Sequence, residues 1–208
     1  MKAHTKKTQD AISPKHAIAL LKEGNKRFVS RLNANRDLIE QVAATSKGQF
    51  PYATILSCID SRVPAELIFD QGIGDIFSIR IAGNFVNEDI LGSMEFACKL
   101  AGTKIIMVLG HTSCGAVKGA CDDVILGNLT TMLHKIKPAV KQVTTPTDSA
   151  LRNSKNLEFV NKVAKQNVLL TIARIKKESP ILEEMENYGE IKIIGAMYNI
   201  NTGVVDIY

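Results

Sequence analysis

The sequence predicts an α/β fold: a single domain with a largely parallel central β-sheet flanked by helices, preceded by an N-terminal helical arm. Three apolar runs, YATILS, DIFSIRIA and KIIMVLG, predict buried strands. Segments with helical periodicity lie between and after these runs, and this alternation is typical of a parallel sheet covered on both faces. We therefore assign residues 1–45 to the arm and residues 46–208 to the α/β domain.

The arm contains two predicted helices. Ser13 is a suitable N-cap and Pro14 occupies the first helical position of the first helix. Apolar residues then recur at helical spacing: Ala17, Leu20, Leu21 and Phe28. A second helix is predicted over residues 35–45.

The predicted elements of the α/β domain follow in order. The segment ILGSMEFACKLAG predicts a helix that ends at Gly102, and CGAVKGAC predicts the start of another. Residues 157–176 predict a long amphipathic helix, and SPILEEM begins a short one. The final segment, IKIIGAMYNINTGVVDIY, predicts a hairpin with its turn near Gly203. Residues 142–155 are the most loop-like internal stretch.

The charge distribution excludes some functional classes. The net charge is +5, yet the first 50 residues hold ten Lys or Arg against four Asp or Glu, so the remainder is almost neutral. A nucleic-acid-binding protein usually carries a basic face with exposed aromatic side chains. This chain has no Trp and its excess positive charge lies on the arm, so we expect no nucleic-acid partner.

No apolar run approaches the roughly 20 residues that span a bilayer, so we expect no membrane association. The four cysteines form no C-x-x-C pair and do not indicate a secreted disulfide scaffold. These features predict a cytoplasmic location, or a periplasmic one if a signal peptide was removed before numbering.

Two segments with reactive side chains follow predicted strands: CIDSR comes after YATIL, and HTSC comes after KIIMVLG. Ligands of such folds bind beyond the carboxyl ends of the strands. If Cys58, Asp60 and Arg62 continue the strand, its period of two points all three side chains the same way. Arg62 can then clamp the Asp60 carboxylate.

His111 and Cys114 can converge with Cys58 on one point. Two thiolates and one imidazole suit Zn2+, and three protein ligands leave the fourth tetrahedral position open, as in catalytic zinc sites. Asp60 is the one nearby candidate for a fourth ligand in a closed resting site. We interpret Cys98 and Cys121 as buried apolar residues.

The two motifs together resemble those of the β-class carbonic anhydrases. CIDSR matches that family's C-x-D-x-R motif and HTSC matches its H-x-x-C motif, while RIAGNFV, GSMEFA and VLGHTSCGAVKGA follow the family in order. The resemblance implies that Cys58, His111 and Cys114 bind Zn2+. It also implies that Asp60 and Arg62 form the catalytic dyad.

The implied reaction is the reversible hydration of CO2 to bicarbonate and a proton. In it a zinc-bound hydroxide attacks CO2, and the Asp60–Arg62 dyad orients that hydroxide. Gln49 matches a glutamine that hydrogen-bonds substrate in plant-type members. Phe96 stands where those members have a tyrosine, and Gly115 can offer its backbone N–H to bound substrate.

The resemblance also implies a homodimer or a dimer of dimers, in which the N-terminal helices embrace the neighbouring subunit. On this interpretation Leu20, Leu21 and Phe28 pack on the partner. Two alternative functions remain at this stage. One is a carbon disulfide or carbonyl sulfide hydrolase, since the same zinc site in related proteins can hydrolyse these linear substrates; the other is a non-enzymatic zinc-binding protein.

Overall fold

The computed structural model describes residues 2–208, which form a five-stranded sheet with helices on both faces. The strands are β1 (Ala53–Ser57), β2 (Ile76–Arg80), β3 (Ile105–His111), β4 (Lys192–Tyr198) and β5 (Val205–Ile207). Their order in the sheet is β2-β1-β3-β4-β5. The first four are parallel, and β5 is antiparallel to β4. The predicted α/β class, its largely parallel sheet and the closing hairpin are confirmed.

The helices precede, connect and cover these strands. In chain order they are α1 (Lys6–Asp10), α2 (Pro14–Val29), α3 (Leu38–Thr45), α4 (Ala65–Ile68), α5 (Glu88–Glu95), α6 (Gly115–Cys121), α7 (Gly127–His134), α8 (Lys137–Gln142), α9 (Leu157–Glu178) and α10 (Pro180–Asn187). A π-helical turn (Phe96–Leu100) continues α5, and a short 3-10 turn (Ser149–Leu151) interrupts the loop before α9. None of the described helices has the length and apolarity needed to cross a bilayer.

The two central strands are buried on both faces because each face packs against a different group of helices. Ile55, Met107 and Leu109 face a cluster that includes residues of α2 and α4. Leu56 and Val108 face a second cluster built with α5, α9 and α10. Successive side chains of a strand point to opposite faces, which explains why β1 and β3 are apolar at almost every position.

The prediction that DIFSIRIA is a buried strand is wrong. This segment forms β2, which lies at the edge of the sheet, and its side chains are half-buried or exposed. Among the described strands β2 pairs only with β1, so its outer edge has no strand neighbour. Apolar composition indicated a strand correctly, but it did not distinguish an edge strand from a central one.

Helix α2 packs on the body of its own chain. Its predicted N-cap is confirmed, because the Ser13 side chain accepts a hydrogen bond from the His16 N–H. Leu21 is fully buried in the chain's own core, and Leu20 packs against that same core. The predicted packing on a partner is therefore wrong for Leu21, whereas for the partly buried Leu20 and for Phe28 it stays a prediction. The arm boundary at residue 45 stays a prediction.

Other boundaries differ in detail from the predictions. Helix α3 begins at Leu38, three residues later than predicted, because Asp37 is its N-cap and accepts from the Glu40 N–H. The helix predicted to end at Gly102 does stop there, since Gly102 has a φ of +83° that only glycine adopts easily. Its π-helical end, and helices α7 and α8, were not predicted.

Candidate metal centre and active site

Three strongly buried side chains meet beyond the carboxyl ends of β1 and β3. These strands are parallel neighbours, with Ser57 of β1 paired to Leu109 of β3. Cys58 follows β1 directly, while His111 ends β3 and Cys114 is the N-cap of α6. One ligand atom from each of Cys58, His111 and Cys114 lies within 4.8 Å of the other two. The structure thus brings together the three predicted metal ligands.

The donor atoms fit a tetrahedral Zn2+ ion. The Sγ atoms of Cys58 and Cys114 are 3.9 Å apart. Two sulfur atoms, each about 2.3 Å from a tetrahedral zinc, would be separated by about 3.8 Å. His111 Nδ1 donates a hydrogen bond to the Thr112 carbonyl at 3.0 Å, which leaves the lone pair on Nε2. That Nε2 atom is buried without a hydrogen-bond partner among the described residues.

The contact between the two thiols shifts their pKa values in opposite directions. A hydrogen bond from the Cys114 thiol lowers the pKa of Cys58, although burial opposes this change. The hydrogen bond to Cys58 and burial both raise the pKa of Cys114. A dication would remove the second proton, because metal binding at cysteine requires thiolates. This donor set is therefore poised for a thiophilic divalent cation.

Asp60 and Arg62 are paired, but not through the predicted strand geometry. The strand ends at Ser57, and residues 60–63 form a turn closed by a hydrogen bond from the Val63 N–H to the Asp60 carbonyl. Within this turn Asp60 accepts from the Arg62 backbone N–H at 3.0 Å and from its Nε and Nη2 at 2.9 and 2.7 Å. The strand interpretation was wrong, whereas the dyad that it suggested is present.

The pair keeps Asp60 ionised beside the predicted metal ligands. Hydrogen bonds from Arg62 hold the pKa of Asp60 far below its usual range, despite partial burial. The nearer carboxylate oxygen, Oδ2, is 3.9 Å from His111 Nε2. Asp60 lies outside the cluster of mutually close donor atoms, which consists of the two cysteines and His111.

Two residues that sequence reasoning missed support the ligand loop from β2 and the turn after it. Arg80 donates from Nε to the Cys58 carbonyl at 3.0 Å and from Nη2 to the Asp60 carbonyl at 2.6 Å. Gly83 donates its backbone N–H to Cys58 Sγ at 3.4 Å. Two sequence features could have indicated these residues. Arg80 is a charged residue at the end of an apolar strand, and Gly83 is the glycine of the segment RIAGN.

The three predicted substrate contacts lie in different places. Gly115 is the first residue of α6 and is exposed directly beside Cys114. Gln49 is exposed before β1, and β1 separates it from Cys58 by about 16 Å of extended chain. Phe96 is 52% exposed and packs against Phe77 at a ring-centroid distance of 6.3 Å.

Phe77 pairs in the sheet with Thr54, four residues before Cys58, which places Phe96 near the amino end of β1. Gln49 and Phe96 thus lie toward the opposite end of this strand from the chain's own predicted metal ligands. Their contact with substrate, like that of Gly115, stays a prediction.

A family model described as carbonic anhydrase matches residues 53–205, which is most of the chain and includes every predicted metal ligand. The chain belongs to the β-class carbonic anhydrases. It is 34% identical to carbonic anhydrase 2 of Mycobacterium tuberculosis over 197 residues, which cover 92% of this chain and 91% of that protein. Identity to a carbonic anhydrase of Mycolicibacterium smegmatis is also 34%, over 94% of this chain and 93% of that protein.

Solved structures agree with this membership. The β-carbonic anhydrase CafA of Aspergillus fumigatus matches with a TM-score of 0.72 and 26% identity over 93% of this chain and 90% of that chain. The β-carbonic anhydrase CcaA matches with a TM-score of 0.71 and 28% identity over 92% of this chain and 94% of that chain. A carbonic anhydrase is a lyase, so the predicted enzyme class is confirmed.

Proposed function

We propose that this β-carbonic anhydrase catalyses the zinc-dependent, reversible hydration of CO2 to bicarbonate and a proton. The observation that carries the proposal is the convergence of Cys58, His111 and Cys114 beside an ionised Asp60 held by Arg62. When bound there, Zn2+ would supply a water acidic enough to lose its proton near neutral pH. Asp60, held by Arg62, would orient that water.

Asp60 orients the nucleophile rather than removing its proton. A carboxylate whose pKa is far below neutrality binds protons too weakly to act as the general base. It does accept a hydrogen bond strongly, and so it would fix the direction of the oxygen lone pair that attacks CO2. Arg62 keeps this carboxylate charged and in one rotamer through its two side-chain hydrogen bonds.

The Asp60–Arg62 pair also supports an open site. Both carboxylate oxygens are occupied by the guanidinium of Arg62, at 2.9 and 2.7 Å. To become a fourth metal ligand, Asp60 would have to give up part of this charge-assisted interaction. We therefore favour a resting state in which the fourth position is available to water.

A dimer would give Gln49 and Phe96 a role in catalysis. Both residues are exposed and lie toward the opposite end of β1 from the chain's own predicted ligands, which supports a contact with substrate bound in a neighbouring subunit. Two β-carbonic anhydrases of Sordaria macrospora are tetrameric, and this chain matches that structure with 26% identity and a TM-score of 0.70 over 79% of this chain and 84% of that chain. We propose a homodimer or a dimer of dimers for this chain.

The cytoplasmic location also stays a prediction.

Stopped-flow CO2 hydration with a pH indicator tests the function, at about pH 7 and about pH 8.5, on protein of measured zinc content. We expect a faster rate at the higher pH, since two thiolates neutralise the metal and make its water less acidic than in a three-histidine site. No hydration at either pH with zinc fully loaded would contradict the proposal. The same protein would then be assayed with carbon disulfide, where turnover would favour the hydrolase alternative and inactivity a non-enzymatic zinc protein.

A further inference from the structure

Helix α9 contributes no metal ligand, yet two of its asparagines bind backbone groups on both sides of the metal centre. Asn161 Oδ1 accepts from the Ser113 N–H at 2.9 Å. Asn167 Nδ2 donates to the Gly83 carbonyl at 2.8 Å. Ser113 lies between the ligands His111 and Cys114, and Gly83 contacts the third ligand, Cys58.

The bond to Asn161 stabilises a turn with an unfavourable backbone conformation. Ser113 has a φ of +57°, in the left-handed region that residues other than glycine rarely adopt. Its N–H has the Asn161 side chain as partner, and this contact holds the turn that sets the spacing between His111 and Cys114. Without the acceptor the turn would be free to relax.

The bond to Asn167 acts on the other side of the site. Gly83 has a φ of +81°, and its N–H donates to Cys58 Sγ. Asn167 is buried and fixes the carbonyl of the same glycine, while Thr171 donates its hydroxyl to the next carbonyl, that of Asn84, at 3.4 Å. Helix α9 therefore holds the segment whose Gly83 N–H faces the sulfur of Cys58.

Helix α9 holds the two asparagines in fixed positions because it packs closely against the sheet. A Cβ atom at Gly110 or Gly195 would come within 3 Å of the Val168 side chain, so glycine in β3 and β4 permits this approach. Val168 is fully buried next to Asn167 in the chain. The two asparagines thus project from a helix whose position is fixed by the core.

We propose that Asn161 and Asn167 are positioning residues of the metal centre, so that affinity for Zn2+ depends on a helix without ligands. This inference rests on the metal site of the proposed function, but it concerns affinity and geometry rather than turnover. Loss of groups that hold metal ligands in place typically costs 10- to 100-fold in metal affinity.

One substitution has opposite expected effects at the two positions. Asn161 acts as an acceptor, so Asn161→Asp keeps the bond to the Ser113 N–H, whereas Asn161→Ala removes it. Asn167 acts as a donor, so Asn167→Asp removes the bond and directs a carboxylate at the Gly83 carbonyl. Asn167→Leu, of similar size and without a donor, is the second variant if the aspartate prevents folding.

The measurement is the Zn2+ dissociation constant by competition with a chelator, together with the thiolate-to-metal absorption of the Co2+-loaded protein. We expect Asn161→Ala and Asn167→Asp to weaken Zn2+ binding by about 10- to 100-fold and to alter the Co2+ spectrum. Asn161→Asp should retain the parent affinity and spectrum. Gln166→Ala, on the same helix but bonded to Gln142 on α8, is the control and should change neither.

Two results would overturn the proposal. One is parent-like Zn2+ affinity in folded Asn161→Ala and Asn167→Asp or Asn167→Leu proteins, as judged by circular dichroism of the metal-free forms. The other is an equal loss in Asn161→Asp and Asn161→Ala, since the acceptor would then be irrelevant. Zinc binding without CO2 hydration in the parent would contradict the proposed function and leave this test intact.

Discussion

At the scale of single residues, the chemistry depends on which group carries charge and what holds it. Arg62 is itself exposed, but its guanidinium reaches both oxygens of Asp60, whose side chain is largely covered. The low pKa of Asp60 follows mainly from these hydrogen bonds. The ionised carboxylate is therefore a property of the pair, and either partner can be tested without touching a metal ligand.

Replacing Asp60 by Asn should reduce kcat/KM for CO2 hydration by about 10²- to 10³-fold. The amide is neutral, and its NH2 group would face another donor, Arg62, so the pair loses its orientation. Zinc content should stay at the parent level, because Asp60 lies outside the donor cluster. Stopped-flow assays and zinc quantification on the same sample check this, with Asp206→Asn on the exposed face of β5 as control. Parent-like activity would exclude an orienting role.

At the scale of secondary-structure elements, the position of the site depends on how closely α9 approaches the sheet. Gly110 precedes the predicted ligand His111 in β3, and a Cβ atom there would lie 2.7 Å from both Val168 Cγ2 of α9 and Met197 Sδ of β4. Such distances are shorter than any ordinary contact, and these neighbours are part of the packed interior. The approach of helix and sheet therefore requires glycine at this position.

Gly110→Ala should lower the free energy of unfolding by about 1–3 kcal/mol through overpacking. The matched control is Gly92→Ala in α5, where an added Cβ atom would meet nothing within 4 Å. This control substitution should stabilise the helix by about 0.5–1 kcal/mol, because alanine loses less conformational freedom than glycine on folding. Urea unfolding of both variants measures the two effects. If Gly110→Ala leaves the free energy of unfolding unchanged within experimental error, α9 can move away from the sheet without cost and the close approach is not required.

A second link between elements joins the arm to the segment between α4 and β2. Asp70 is buried and pairs with Arg27 Nε and Arg36 Nη1, each at 2.5 Å. Burial alone would raise the pKa of this carboxyl, but hydrogen bonds from Arg27, the Ala34 N–H and Arg36 outweigh it and lower the pKa. The contact ties α2 and the residues before α3 to the α/β domain.

Asp70→Asn should cost about 3–5 kcal/mol of stability at pH 7, because it removes one partner of buried ion pairs. The folded-state pKa is lowered, so the contribution is fully present above the unfolded-chain pKa of about 3.9. It is lost as pH falls through the folded-state value. Unfolding of parent and variant at pH 7, 5, 4 and 3 should show a difference that persists to about pH 4 and shrinks below it. A difference independent of pH would contradict the assigned ionisation.

At the scale of the whole molecule, some apolar side chains stay exposed because no other part of the chain packs on them, and several of them lie on α3. Helix α3 presents Leu38, Ile39 and Val42, and Ile39 is 78% exposed. Because Leu20 and Leu21 pack on the chain's own core, α3 is the better candidate for the part of the arm that meets a partner. Exposed apolar patches of this kind often mark interaction surfaces.

We expect the double substitution Ile39→Asp and Val42→Asp to shift the proposed dimer toward monomer, since charges would be placed in an apolar contact. Both side chains are exposed within the single chain, so its folding should be retained. Sedimentation velocity measures the change, with Glu40→Gln on the same helix as control. An unchanged oligomer in the double variant would place the subunit contact elsewhere.

The sequence by itself determined the fold class, the central strands and which residues form the candidate metal centre and the Asp60–Arg62 pair. These features could be predicted because each depends on a local pattern within a short segment. The patterns are the apolar runs, the Ser13 cap and the spacing within CIDSR and HTSC. Only the tertiary structure decided that β2 is an edge strand, that Asp60 and Arg62 pair through a turn, and that Leu21 joins the chain's own core.

The contacts that hold the candidate metal centre in place could not be predicted from local sequence patterns either. Gly83 contacts Cys58 across 25 positions of sequence, Asn161 contacts Ser113 across 48, and Asn167 contacts Gly83 across 84. A glycine or an asparagine carries no signal of such a distant partner. These contacts exist because helix α9 packs on the sheet, which is a property of the assembled fold.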